Sequence, residues 1–442
     1  IIICKLMMII LYDIRMDILF EVISLLVIII AVVILAYRIL QNSGLKLTRF
    51  SSIGRNTSIK YKPDNRECIN IFICAILFRI FIVVAGFVIY CIFKDDGKTF
   101  SFEQIYDNWV QWDANCYIRI SHGYDYYLEN NEYVTLVFYP LYPLLLKICN
   151  VFISNINISG IVVSTLCYAG GCVYMYKLIC IDYSKVVAQR AIVLLSIFPF
   201  GFFYGGIMSE STFFITSVMT LYYSRKHNYP AAGLCGMLTA LSRSVGVFLI
   251  IPLTVEFMEE YKILENPKEI KKIMNLVVSK WLWLLLIPLG MLVYLFINYR
   301  VAGNPFEFLR LEEKYWHQTG QPFFKTVGSL WDIIKGNYSV STKMGAFVPG
   351  TIILFVMYGV MLSGLRKHRT MYMVWFMIYL VVNTTMSWPL SLCRYLALNI
   401  PFYMVTAEYC EKNDRLYTAF VVGGSVMFGI YMTGYLMGKQ IM

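Results

Sequence analysis

Residues 109–143 read WVQWDANCYIRISHGYDYYLENNEYVTLVFYPLYP. An acidic, aromatic stretch carrying the pair Trp112-Asp113 runs straight into the apolar run FYPLYP, which Pro140 and Pro143 interrupt. Beyond the loop that holds it, long apolar runs recur along most of the chain in both directions. A polar loop that ends in a broken apolar segment is how a membrane protein builds a site where water-soluble and lipid-borne reactants meet.

The wider composition agrees. Of 442 residues, 59% are hydrophobic and 15% charged, where a soluble domain is about a quarter charged. Since about 20 apolar residues cross a bilayer, full crossings are expected at 19–40, 68–93, 158–181, 191–205, 207–225, 281–299, 346–365, 371–388, 391–410 and 416–437. The fold expected is an all-α polytopic bundle of about ten crossings with broken, re-entrant half-helices. The net charge of +11 sits in short clusters between apolar runs, so it orients the protein against anionic lipid and does not indicate nucleic acid. Lys46, Arg49, Arg55, Lys60, Lys62 and Arg66 fall in one connection. Lys185 with Arg190, Arg225 with Lys226, Lys268 to Lys280, Arg366 to Arg369, and Lys412 with Arg415 fall in others. All lie on one side of the ten-crossing threading, which the positive-inside rule makes cytoplasmic. The other side receives two long loops, 94–134 and 300–345. The first holds Asp95, Asp96, Glu103, Asp107, Asp113, Asp125, Glu129 and Glu132. The 12 cysteines form no CxxC pair and the four histidines are dispersed, so neither a disulfide framework nor a zinc site is indicated. The first helix and its basic linker, 1–66, form an appended unit before a catalytic unit at 67–442.

Parity adds a constraint. The loop at 94–134 and the connection at 182–190 lie on opposite sides, yet two apolar runs, 135–152 and 158–181, separate them. The proline-broken run is the one that does not span, since paired prolines remove backbone donors and prevent a continuous helix. The stretch 231–256 is flanked by the same side twice and is interrupted by LSRSVG (241–246). It is expected as two half-helices meeting beside a cavity.

Charged groups at membrane depth cost about 2.5–3.5 kcal/mol each even on lenient scales, so each needs a reason. They are Arg79 in CAILFRIFIVV, Glu210 in GGIMSES, Arg243 at the LSRSVG break, and Arg394 in WPLSLCRYLALNIP. Arginines around a cavity suit a phosphate, which the planar fork binds through two bonds. Asp113, a carboxylate beside Trp112 near the membrane surface, is the candidate proton acceptor for a substrate hydroxyl. Trp112 and Tyr117 are either interfacial anchors or surfaces on which a sugar stacks. In the second loop, Glu312, Glu313, Tyr315, Trp316 and His317 either line an acceptor pocket or belong to an amphipathic helix lying on the membrane. Outer acids are able to hold Mg²⁺ or Mn²⁺ through oxygen, but no spacing marks a metal site and no cofactor is indicated.

The segment WDANCYIRISHGYDY…VFYPLYPLLLK resembles the motif pair of the PIG-V-type mannosyltransferases and their bacterial relatives. FPFGFFYGGIMSES, LTALSRSVGVFLIIPL, AGNPFEFL…W and RYLALNIPF follow in the family's order, over patches from 109 to 404. The resemblance implies a GT-C glycosyltransferase that takes a sugar, usually mannose, from a polyprenyl-phosphate donor on the extracytoplasmic face of the cytoplasmic membrane. It also implies inversion at the anomeric carbon and a loop Asp, here Asp113, serving the reaction. Trp112, Arg119, Tyr124, Glu210, Arg243, Glu313, Trp316 and Arg394 are then the substrate-binding candidates. The acceptor is a lipid or glycan of unstated identity. The chain departs from the pattern in its extra N-terminal helix and in FYP where FFP is usual. A lipid or solute transporter is the competing class, because it too uses broken helices and buried arginines.

Overall fold

The computed structural model describes residues 16–45, 61–93, 101–124 and 132–441. Much of the first basic linker and the acids Asp95, Asp96, Asp125 and Glu129 lie outside the described residues. Among those described, regular structure is helical, and the only strand-like pairing is the isolated bridge between Gly320 and Met386.

Among the described residues six helices are long and apolar enough to cross a membrane: Met16–Asn42, Asn65–Phe93, Ile156–Asp182, Trp281–Ala302, Val340–Gly364 and Asp414–Leu436. At about 1.5 Å per residue each exceeds the roughly 30 Å of a hydrocarbon core. The remaining four expected crossings are assembled from shorter pieces. Lys185–Ser196 leads into the tight turn Gly201–Gly205, Glu210–Arg225 and Thr370–Asn383 stand alone, and Leu392–Leu396 is followed by Ile400–Cys410. Pro199, the Gly205-Gly206 pair, Pro389 and Pro401 mark the interruptions. Half of the most apolar stretch of Ile156–Asp182 is buried, against 22% in Met16–Asn42, Asn65–Phe93 and Asp414–Leu436, so the first is central and the other three face lipid.

Side-chain caps start several helices where the sequence supplies them. Asn155 accepts from the backbone of Asn157 and Ile158, Ser184 from Val187, Asn228 from Ala231 and Asn413 from Leu416.

Polar contacts sort the connections into two ends. At one, Arg225 pairs with Asp182 at 2.7 Å and Glu256 at 3.3 Å, Arg369 donates to Glu256, and Tyr372 donates to Asp182 at 2.7 Å. Lys185 with Glu67, Arg190 with Asp414, and Asn42 with Glu259 and Thr370 extend the same end. These are the basic connections that the threading put together. At the other end Tyr435 donates to the Trp109 carbonyl, Tyr294 to that of Leu136, and Asn157 to Asp107.

Both segments expected to turn back do so. Tyr229–Ala240 rises from the basic end, breaks at residues 241–243, and Ile250–Glu260 returns to it. From the opposite end, residues 132–140 descend until the Leu141 amide meets the Leu241 carbonyl at 3.1 Å, and Leu141–Ile153 climbs back. The prolines act differently from expectation here. A continuous helix does form, with Pro140 at its cap and Pro143 in its first turn, where a missing N–H costs nothing. Its 13 residues are too short to span.

Met16–Asn42 packs along Phe323–Lys335 of the second long loop, and Lys325 pairs with Glu21 at 2.9 Å. Arg79 is fully buried and donates to the carbonyls of Gly201 (3.3 Å) and Phe202 (3.0 Å). Its charge satisfies the broken backbone before Glu210, a packing role. Gly205 has no room for a side chain because a Cβ would overlap the Arg79 guanidinium.

Candidate active site

Four charged residues far apart in sequence form one chain of ion pairs at the acidic-loop end. Arg394 Nη1 donates to Asp113 Oδ2 at 2.5 Å, and Arg394 Nε donates to Glu210 Oε1. The same Glu210 oxygen accepts from Arg243 Nη1 at 2.8 Å. Two acids and two bases thus neutralise each other. Burial is unequal: the side chains of Arg394 and Glu210 are 2% exposed, that of Arg243 15% and that of Asp113 23%. The ends of the chain, Asp113 and Arg243, are therefore its most accessible members. Glu210 Oε2 is buried without a hydrogen-bond partner.

Interrupted backbone delivers each member. Trp112 adopts φ +52°, a conformation that is costly for a bulky residue, and Asp113 follows as the cap of Ala114–Ile120. Its side chain makes no capping bond, which leaves the carboxylate for Arg394. Glu210 opens Glu210–Arg225 after the Gly201–Gly205 turn, where the helix dipole favours an anion. Arg243 is extended, at φ −159°, between Tyr229–Ala240 and the turn Ser244–Leu249. Arg394 sits in the short helix Leu392–Leu396. Aromatic faces flank both cations, with Tyr395 4.7 Å from Arg243 and Phe203 5.3 Å from Arg394.

Above this chain lies a cavity of about 320 Å³, within the usual size range of small-ligand sites. Asp113, Arg243 and Arg394 line one side. Glu307–Trp316 forms another wall. Glu312, Tyr315 and Trp316, three and four residues apart, share its inward face, as helix geometry requires. Its outer face is tied down by Arg310 and Lys314, which pair with Glu132 at 3.0 and 2.9 Å. Tyr315 also donates to Glu132, and these bonds hold that carboxyl down at about 2. The helix ends with His317 in the left-handed region. Residues 319–321 then pair with 385–387 through Ser387 N to Thr319 O (2.9 Å) and Gln321 N to Thr385 O (2.8 Å). This junction brings Met386 and Trp388 into the wall.

The structure brings together Asp113, Arg243, Arg394 and Trp316 on the cavity, with Glu210 beneath them. The other candidates lie elsewhere. The Trp112 ring packs into the core and its indole N–H is buried without a partner. Arg119 is exposed and outside the cavity lining. Tyr124 supports the wall by donating to the Phe138 carbonyl at 2.7 Å. Glu313 points outward, one helical step from Glu312, which takes the inward position. Tyr117, whose hydroxyl donates to Ser209 at 3.0 Å, and Tyr139, Asn383 and Trp388 also line the cavity. Of these, Tyr117 is the one the sequence offers as an interfacial or sugar-stacking aromatic. Among the others only the position of Trp388 in WPLSLCR, six residues before Arg394, offered a signal.

Among the described residues one other acidic cluster, His227 with Glu256 and Glu260, has ligand atoms within 4.8 Å of one another. It lies at the basic end, where Arg225 and Arg369 already occupy Glu256.

The family model for Mannosyltransferase (PIG-V) matches residues 98–318, half of the chain. No curated protein matches it. The matched span contains Asp113, Glu210, Arg243, Glu312 and Trp316 and stops short of Arg394. A membrane bundle with a carboxylate and arginines around one cavity is thus joined to a glycosyl-transfer family, which displaces the transporter reading: the chain belongs to the PIG-V mannosyltransferase family.

Proposed function

We propose that this chain transfers mannose from a polyprenyl-phosphate donor to a hydroxyl of a lipid or glycan acceptor, on the extracytoplasmic face of the cytoplasmic membrane, with Asp113 as general base. The observation that carries the reading is the shared cavity. It sets the most exposed carboxylate of the ion-pair chain, Asp113, beside the two arginines, at the end away from the basic connections.

In this reading the donor phosphate lies against Arg243, whose guanidinium is the more reachable of the two. Arg394 is already held between Asp113 and Glu210 and acts by positioning the carboxylate. The acceptor oxygen attacks the anomeric carbon from the face opposite the phosphate, which inverts that centre. Its proton passes to Asp113 as the new carbon–oxygen bond forms. The bond from the anomeric carbon to phosphate oxygen breaks, and its electron pair leaves with polyprenyl phosphate, whose charge Arg243 offsets. A phosphate leaving group needs no protonation, so a glycosidase-like pair of working carboxyls is unnecessary.

The test is transfer in vesicles holding the protein in one orientation. They are supplied with polyprenyl-phosphate mannose labelled in the sugar and with membrane extract as acceptor source. A labelled glycoside of inverted configuration, formed only on the side carrying the acidic loops, is expected. Donor crossing the bilayer with no new glycosidic bond would refute the reading.

A further inference from the structure

Glu312 is the cavity carboxyl that the ion-pair chain leaves out. It lines the cavity with Trp316 and Tyr139. Among the described residues its side chain makes no hydrogen bond and no ion pair. A partly desolvated carboxyl without a partner is costly, and one aimed into a cavity finds its partner in what enters. Sugars offer the matching chemistry, with hydroxyl donors for the carboxylate and an apolar ring face for an aromatic such as Trp316. The Trp316 ring is held edge-on by Phe138 at 5.8 Å. Tyr139 is fixed by stacking on Tyr294 at 4.0 Å. The wall is therefore built before any ligand arrives.

We propose that Glu312, together with Trp316, forms a sugar-hydroxyl subsite of this cavity, in which the ionised carboxylate accepts the hydroxyl hydrogen bond. The proposal rests on the reading of the cavity as a sugar-transfer site. The charged and titratable neighbours are accounted for. On the same helix Arg310 and Lys314 are engaged with Glu132 on another face, and Glu313 points outward. Helix Leu286–Ala302 and the turn before Leu141–Ile153 contribute Tyr294 and Tyr139. Across the cavity stand Asp113, Arg243 and Arg394, which satisfy one another through Glu210, and Tyr117, Tyr315, His317 and Tyr395 are the remaining titratable groups of the lining. With no cation to offset it, burial pushes the Glu312 carboxyl up to about 7. Sugar binding to the ionised form then releases a proton.

The experiment is calorimetric titration of the full chain in detergent with two probes. One is a short-chain polyprenyl-phosphate mannose and the other is octyl mannoside. The ionised fraction of a group near 7 falls about tenfold between pH 8 and pH 6, so affinity for one probe should fall about tenfold as well. Dependence with the phosphate probe assigns the subsite to the donor sugar, and dependence with the octyl mannoside alone assigns it to the acceptor. Glu312→Gln should flatten the profile. If that variant fails to fold, the wild type still reports, since binding at pH 7 should release about half a proton, visible by comparing buffers of different ionisation enthalpy. Flat affinity with both probes and no proton release overturns the proposal. Asp113→Asn separates the two readings. Retained pH-dependent binding with undiminished transfer sinks only the base, and flat binding with lost transfer sinks only Glu312.

Discussion

Replacing Glu210 by glutamine removes the one anion shared by two buried guanidiniums. The carboxylate accepts from Arg243 at 2.8 Å and from Arg394. At a charge separation of about 4 Å and an effective dielectric of about 20, each pair contributes about 4 kcal/mol of attraction. Arg394 keeps Asp113 as a counter-ion, while Arg243 loses the only ion-pair partner it has among the described residues. The measured cost of breaking one buried pair from one side is about 3–5 kcal/mol, so Glu210→Gln should destabilise the fold by about that amount. Thermal and denaturant unfolding in one detergent reads the change. Adding Arg243→Gln removes the stranded cation. The double variant should therefore be no less stable than the single one, a coupling of about 2 kcal/mol or more. A single-variant cost below about 1 kcal/mol, or effects that simply add, would refute the idea that these residues act as one electrostatic unit.

Arg243→Gln should raise the KM for the phosphate donor by at least about tenfold, the equivalent of one charge-assisted hydrogen bond, and leave acceptor KM unchanged. Steady-state kinetics with each substrate varied decides it. Gly205→Ala forces a methyl into the Arg79 guanidinium, and because Arg79 is buried and bonded to Gly201 and Phe202 the overlap has no easy relief. A loss of about 1–3 kcal/mol in unfolding free energy is expected. Because Arg243 offsets the phosphate charge in this account, transfer should survive a chelator of divalent cations. Loss of activity restored by Mg²⁺ or Mn²⁺ would instead give the acidic loop a metal.

Much of the architecture was legible because it follows from local chemistry. Six runs are long enough and apolar enough to cross unaided. The break at LSRSVG and the return of 135–152 followed from parity, which needs only the sign of the loops. Asp113, Glu210, Arg243 and Arg394 each stood out because charge in an apolar run demands compensation. That they compensate one another was not legible. Asp113 and Arg394 are 281 residues apart, and Arg394 and Glu210 are 184 apart, separations that no periodicity spans. The choice between Glu312 and Glu313 depended on helical phase, which is set by Arg310 and Lys314 meeting Glu132. Trp112 reads equally as an interfacial anchor or a stacking surface, and its ring instead packs against the core from a left-handed backbone that no local pattern announces. Two of the shorter crossings were drawn unbroken for a similar reason: hydropathy averages over Pro199, before which Lys185–Ser196 has ended, and over residues 397–399, after which Pro401 sits in the first turn of a new helix, Ile400–Cys410.

The most direct test of the account is Asp113→Asn, assayed for both mannosyl transfer and donor binding. Losing a general base lowers turnover by about 10²–10⁴-fold. The same change frees Arg394 from its partner at 2.5 Å, so donor affinity should hold or increase. Transfer at the wild-type rate, with the variant folded and the donor bound, would contradict the claim that this carboxylate takes the acceptor's proton.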